Sequence, residues 1–199
     1  ESRVNDPRLL SGMDAAVQRL AAALRSGEAV GILGDYDVDG VTSTVVLLKL
    51  FKLLKLPCHW HIPDRLLEGY GPNAGALQKL KDSGCAVVVT VDCGISAVAE
   101  AESARAMGLD FIITDHHVPG PQLPAALAVV NPKTSPDYPY DMLGGVGVAY
   151  KLAQALLETL EHPRRVEWGD NRRERGALGT ICDVAPLDGE NRSRVRDGL

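Results

Sequence analysis

Gly34-Asp35-Tyr36-Asp37-Val38-Asp39-Gly40 places three acids at every second position. In an extended segment alternate side chains project to one side, and carboxylates held that close repel one another unless a cation lies between them. One Asp before a glycine reads most simply as a turn or helix cap; three in this order ask for a metal. A further acid, Asp92, stands in Val91-Asp92-Cys93-Gly94 directly after an apolar run. By itself it serves equally well as the cap of a helix near Ser96. Asp115, His116 and His117 follow Ile113-Thr114, and Asp115 is suited to orient an imidazole from behind. Asp183, in Gly179-Thr180-Ile181-Cys182-Asp183-Val184-Ala185-Pro186-Leu187, reads alone as a helix-end residue and gains weight only from the others.

Carboxylates with one or two imidazoles and no thiolate favour Mn²⁺ or Mg²⁺ over zinc, because carboxylate is a hard ligand. Two such ions sharing a carboxylate turn water into hydroxide and clamp the oxygens of an in-line displacement at phosphorus. The chemistry implied is hydrolysis of a phosphate ester.

The elements that must hold these groups alternate. Asp6-Pro7 opens an amphipathic helix whose Leu9, Leu10, Met13, Val17, Leu20 and Leu24 recur at helical spacing until Ser26-Gly27. Ala29 to Leu33 reads as a strand and Val41 to Leu56 as a helix; strands at Cys58 to Ile62, Ala86 to Val91 and Phe111 to Thr114 alternate with helices at Asn73 to Leu80 and Ser96 to Met107. Leu127 to Val130 adds a strand. This rhythm predicts an α/β fold, a parallel sheet covered by helices on both faces, with ligands gathering outside the carboxyl ends of the strands. After Asn131 the pattern changes to a Pro/Tyr-rich loop (Pro132 to Tyr140), a glycine cluster (Gly144, Gly145, Gly147) and a helix from about Val148 to Leu160. Residues 1–131 are thus expected to form the sheet core, and 132–199 a loop and mostly helical portion that completes the metal site.

With 199 residues, 45% hydrophobic and 24% charged, the chain is too apolar for disorder and matches one domain burying roughly 70% of its unfolded surface. Apolar runs such as Val45 to Leu48 and Ala125 to Val130 fall far short of the ~18 residues of a membrane span, so no membrane partner is expected. Glu1 to Asp14 carries no secretory pattern, and four scattered cysteines suit reduced thiols; both point to the cytoplasm. The net charge of −5 argues against a simple basic nucleic-acid coat but agrees with carboxylates gathered for cations. The absence of a starting Met and the closing run Asn191 to Asp197 lead to the expectation of a piece of a longer protein.

Gly34 to Gly40, Val91 to Gly94 and Asp115-His116-His117 resemble the first three motifs of the DHH phosphoesterases. The tyrosine-containing form of the first motif resembles the RecJ branch, bacterial exonucleases that degrade single-stranded DNA from the 5′ end. Ile62 to Asn73, Gly144 to Lys151, Ala177 to Leu187 and Asn191-Arg192 extend the likeness over nearly the whole chain from Asp6. The resemblance implies metal ligands at Asp37, Asp39, Asp92, His116 and Asp183, with Asp92 bridging two Mn²⁺ or Mg²⁺ ions. Asp35 stands where some members place a metal-binding His and is taken as a catalytic residue. His117 would face the scissile phosphate and stabilise its developing charge, with Asp115 behind it. Single-stranded DNA is the implied partner of a monomeric enzyme of repair and recombination, and a single-strand-binding protein or a helicase is the candidate recruiting factor. RecJ-like enzymes carry a further, glycine-rich substrate-binding domain that this sequence does not reach.

For the grip on DNA, Arg65, Tyr70 and Asn73 follow the second strand near the ligand edge, Gly145 with Gly144 and Gly147 either lets a phosphate approach backbone N–H groups or simply permits tight packing, and Asn191 and Arg192 are expected substrate contacts. The arginines at 164, 165, 172, 173 and 175 around Trp168 are nearly balanced by acids and read better as a solvated face. Rival readings are a DHH enzyme for oligonucleotides, cyclic dinucleotides or pyrophosphate, and an inactive DHH scaffold in a replication complex. Asp37 to Val41 also mimics the Asp-x-Asp-Gly start of haloacid-dehalogenase phosphatases, but His116-His117 stands where that chemistry wants a lysine and an acidic pair.

Overall fold

The computed structural model describes residues 4–165 and 173–198. Five strands, β1 (Ala29–Gly34), β2 (Cys58–His61), β3 (Cys85–Val91), β4 (Asp110–Thr114) and β5 (Ala128–Val130), form one parallel sheet in the order β2-β1-β3-β4-β5. Helices α1 (Met13–Ser26), α2 (Val38–Leu54) and α5 (Gly145–Thr159) pack on one face, and α3 (Ala74–Asp82) and α4 (Val98–Ala106) on the other. The period-2 alternation of strands explains the split. Val87, Val89 and Val91 join Leu20, Phe51 and Leu156 in one core, while Val88 joins Leu77, Leu80 and Phe111 in the second. Two further helices, α6 (Arg173–Cys182) and α7 (Gly189–Gly198), close the chain. Among the described residues no helix is long and apolar enough to cross a membrane.

The α/β expectation and the helical closing portion hold; several boundaries move. Asp6 caps only a 3₁₀ turn (Pro7–Leu9), and the α-helix begins six residues later, after Gly12 at φ +76°. A side chain there would collide with the Val129 carbonyl, so the glycine lets the chain cross β5 closely. Helix α2 starts at Val38 rather than Val41, because Asp37 Oδ1 accepts from Gly40 N at 2.9 Å as its N-cap. The three acids therefore do not lie in an extended run: Asp35 leaves the strand, Asp37 caps and Asp39 sits in the first helical turn. Helix α5 likewise starts at Gly145 rather than Val148. Of the arginine group, residues 166–172, including Trp168 and Arg172, lie outside the described residues, as do the side chains of Arg173 and Arg175.

Candidate metal centre

Strand order reverses between β1 and β3, and in an open parallel sheet the crevice at such a point receives ligands. The acids lie there: Asp35, Asp37 and Asp39 follow β1, and Asp92 follows β3. Asp39 is buried, and its Oδ2 and Oδ1 accept from the backbone N–H groups of Gly145 and Val146, both at 2.8 Å. These are the first N–H groups of α5, where a helix presents unsatisfied donors and positive potential. The sheet core and the C-terminal portion are thus tied together at the site itself.

Asp92 sits at φ +62°, a conformation Asp tolerates better than most residues. Its N–H donates to Thr114 O at 3.0 Å, fixing the end of β3 to β4. Its carboxylate is buried, yet neither oxygen receives a hydrogen bond. Gly145 lies against it: a Cβ at that position would overlap Asp92 Oδ1. The glycine is explained by this approach and by Asp39, rather than by an open phosphate cradle.

The turn after β4 is organised by Asp115. Its Oδ1 accepts from His116 N at 2.7 Å, His117 N at 3.1 Å and His117 Nδ1 at 2.7 Å, and its Oδ2 from Ile95 N at 2.8 Å. Burial pushes this carboxyl up, but His117 and the backbone donors outweigh it and hold it below its usual value. In return, the Asp115 hydrogen bond lifts His117 to a pKa of about 9. His116 moves the other way, lowered by burial and by the neighbouring His117 charge, as suits a neutral ligand nitrogen.

Three overlapping sets of ligand atoms converge, each within 4.8 Å: Asp35, Asp37 and Asp92; Asp39, His116 and Asp183; Asp92, His116 and His117. His116 Nε2 lies 3.1 Å from Asp92 Oδ1, without hydrogen-bond geometry, 3.8 Å from Asp183 Oδ2 and 3.9 Å from Asp39 Oδ2. Burial raises the pKa of Asp35, Asp39, Asp92 and Asp183, and neighbouring carboxylates push the same way. Buried oxygens without donors, a buried imidazole nitrogen without a partner and crowded negative charge fit divalent cations, with Asp92 common to two sets. The nearby Cys93 thiol is wholly buried and held far above its normal pKa by that burial, so it offers no thiolate.

Beside this cluster a cleft of about 560 Å³ is lined by Asp35, Tyr36, Asp37, Tyr70, Asp115 and His117, among others. The Tyr70 ring packs edge-on to Tyr36 and to His117, each at 6.3 Å, and the Arg65 guanidinium lies 5.2 Å from the centre of the Tyr36 ring. Arg65 and Tyr70 therefore stand at the cleft. Asn73 Oδ1 caps α3 by accepting from Ala76 N at 2.8 Å, while its buried Nδ2 has no partner. Asn191 is corrected: it is wholly buried, with Nδ2 donating to Met142 O at 2.6 Å and Pro186 O at 3.1 Å, a loop tie rather than a substrate contact. Arg192 is exposed on α7.

Two residues of the site escape the sequence reading. Asn131 Nδ2 donates to His117 O at 3.0 Å, and Lys133 Nζ donates to His116 O, strapping the two histidines from below. Asn131 directly follows β5, so the rule applied at the other strand ends points to it as well.

A parallel α/β sheet whose switch point gathers five carboxylates and two imidazoles defines a class of domain built to hold divalent cations. Residues 29–171 match the DHH family, N-terminal domain, and the chain belongs to that family. It is 47% identical over 195 residues to the single-stranded-DNA-specific exonuclease RecJ of Bacillus subtilis, an alignment covering 98% of this chain and 24% of that protein. A crystal structure of exonuclease RecJ bound to manganese superposes with a TM-score of 0.84 at 40% identity, over 95% of this chain and 47% of that one. RecJ from Thermus thermophilus in complex with Mn²⁺ gives 0.80 at 37% identity, over 95% of this chain and 26% of that one. The chain thus spans under half the length of these relatives.

Proposed function

We propose that this chain is the catalytic domain of a RecJ-type exonuclease, which hydrolyses phosphodiester bonds of single-stranded DNA from the 5′ end and releases nucleotides in repair and recombination. The observation that carries the reading is the buried Asp92 carboxylate, both of whose oxygens lack hydrogen-bond donors between two sets of ligand atoms. Asp35, Asp37 and Asp92 would hold one Mn²⁺ or Mg²⁺ ion, and Asp39, Asp92, His116 and Asp183 a second. Bound there, such ions supply positive charge to phosphate oxygens and acidify water.

The chain's own groups do the positioning. The hydrogen bond from His117 Nδ1 to Asp115 at 2.7 Å fixes the ring at the cleft and favours its protonated form, a donor placed to stabilise charge on the scissile phosphate. Tyr36 and Tyr70 offer faces on which bases stack, which suits single strands and tolerates any sequence. Arg65 supplies a guanidinium for a phosphate. Four free cysteines accord with a reducing cytoplasm, where a monomer would be directed to DNA by a single-strand-binding protein or a helicase.

Oligonucleotides labelled at the 5′ or the 3′ end test the reading. Mn²⁺-dependent release of mononucleotides from the 5′ label first, on single strands and not on duplex, is the expected result. Release from the 3′ end first, or cleavage of dinucleotides alone, overturns it.

A further inference from the structure

Asp183 reaches the metal centre from outside the sheet. It follows the last residue of α6, and the next residue, Val184, lies at φ +56°, a region that strains a β-branched side chain. Val184 is 86% exposed, so its own packing does not impose that conformation. Strain of this kind persists where the surroundings over-determine it. On the upstream side the N–H groups of Asp183, Val184 and Ala185 donate to Gly179, Ile181 and Thr180 carbonyls at 2.9, 3.1 and 3.2 Å.

On the downstream side residues 135–144 grip the chain. Tyr140 OH donates to Asp188 Oδ1 and Tyr138 OH to Glu190 Oε2, each at 2.7 Å. Asn191 Nδ2 reaches back to Met142 O and Pro186 O. Glu190 is itself anchored: its Oε1 pairs with the buried Lys151 Nζ of α5 at 2.7 Å, and its Oε2 accepts from Asn5 Nδ2 at 3.0 Å. Asp39 and His116 are held by contacts at strand and helix ends; Asp183 is held upstream by α6, which packs on α2 and α5, and the chain leaving it runs directly into this second framework.

We propose that Tyr138, Tyr140, Glu190 and Asn191 form a clamp that positions Asp183, so that cation affinity at the Asp39–His116–Asp183 corner is set by residues outside the ligand set. The inference rests on the reading of the site as a centre for divalent cations.

Mn²⁺ titration of the intact protein, followed through the electron paramagnetic resonance of the free ion, tests it. The wild type is expected to take up two ions. Tyr138→Phe with Tyr140→Phe removes two hydroxyls and little volume, and should weaken one ion about tenfold or more while sparing the other. Asp183→Asn should weaken the same ion, and adding the tyrosine changes to it should bring no further loss. Unchanged binding, equal weakening of both ions, or additive loss in the Asp183→Asn background would overturn the clamp. If the double variant does not fold, Tyr140→Phe alone, whose hydroxyl lies at the surface, carries the same comparison. A wild type that binds no Mn²⁺ overturns the cation reading, and the clamp with it.

Discussion

Asp115 accepts a hydrogen bond from His117 Nδ1 at 2.7 Å while being almost wholly buried itself. The pair sets the charge on His117. Its pKa of about 9, against an ordinary 6.5, means that in metal-free protein the pairing contributes stability in full below pH 6.5 and loses it as pH rises through about 9. Asp115→Asn keeps an oxygen for the backbone donors but removes the charge. The imidazole resonances of His117 should then titrate well below about 9, and the alkaline loss of stability should shrink. An unmoved titration would show that another group holds the proton.

Gly145→Ala separates two opposing effects. Alanine favours a helix over glycine by about 1 kcal/mol, yet its Cβ would overlap Asp92 Oδ1. Overlap with the buried Asp92 wins, because the clash reaches Cγ and Cβ as well as the terminal oxygen, so rotating the carboxylate alone does not relieve it. Thermal unfolding should show destabilisation of about 1–3 kcal/mol, and Mn²⁺ affinity should fall. A variant with raised stability and unchanged metal binding would place Asp92 elsewhere.

Asp35, Asp92 and Asp115 were legible because each directly follows a strand, a local signal readable from apolar runs and what ends them, whereas Asp183 follows a helix and carries no such signal. Asp92 and Asp183 looked ambiguous singly and gained meaning only together. What the sequence hid is long-range. Nothing near Asp39 announces that its carboxylate caps α5, more than a hundred residues on, or that Gly145 is there to make room for Asp92. Asn191 looked like a substrate contact because Asn191-Arg192 resembles the family; its burial depends on a loop some fifty residues earlier. The helix start was misplaced at Asp6 because apolar periodicity runs unbroken through Gly12, where the backbone turns.

Asp92→Asn should abolish the Mn²⁺-dependent hydrolysis proposed for the site while leaving the metal-free fold intact or more stable. Asparagine tolerates the φ of +62° that alanine would not, so the change isolates the charge. Because burial raises the Asp92 pKa, ionisation destabilises the folded metal-free protein as pH rises above the ordinary carboxylate range. Mn²⁺ reverses that: at 100 times its dissociation constant each ion should stabilise the wild type by about 2.7 kcal/mol. In the variant the Mn²⁺-induced rise in Tm should largely disappear. An equal rise in both proteins would remove Asp92 from the metal centre.

Tyr70 distinguishes stacking from acid–base chemistry at the cleft. Burial and the surrounding carboxylates push its phenol far above the normal range, so the hydroxyl keeps its proton at any working pH. Its ring, edge-on to Tyr36 and His117 and half exposed, is the part available to a base. Tyr70→Phe should therefore leave KM for a single-stranded oligonucleotide and kcat close to wild type. Tyr70→Ala should weaken binding by about 1–3 kcal/mol, the range for loss of one base–aromatic stack. The loss should be similar for different base sequences, because every base presents a π-face. If Tyr70→Phe instead cut kcat while sparing KM, the hydroxyl, and not the ring, would be what Tyr70 contributes.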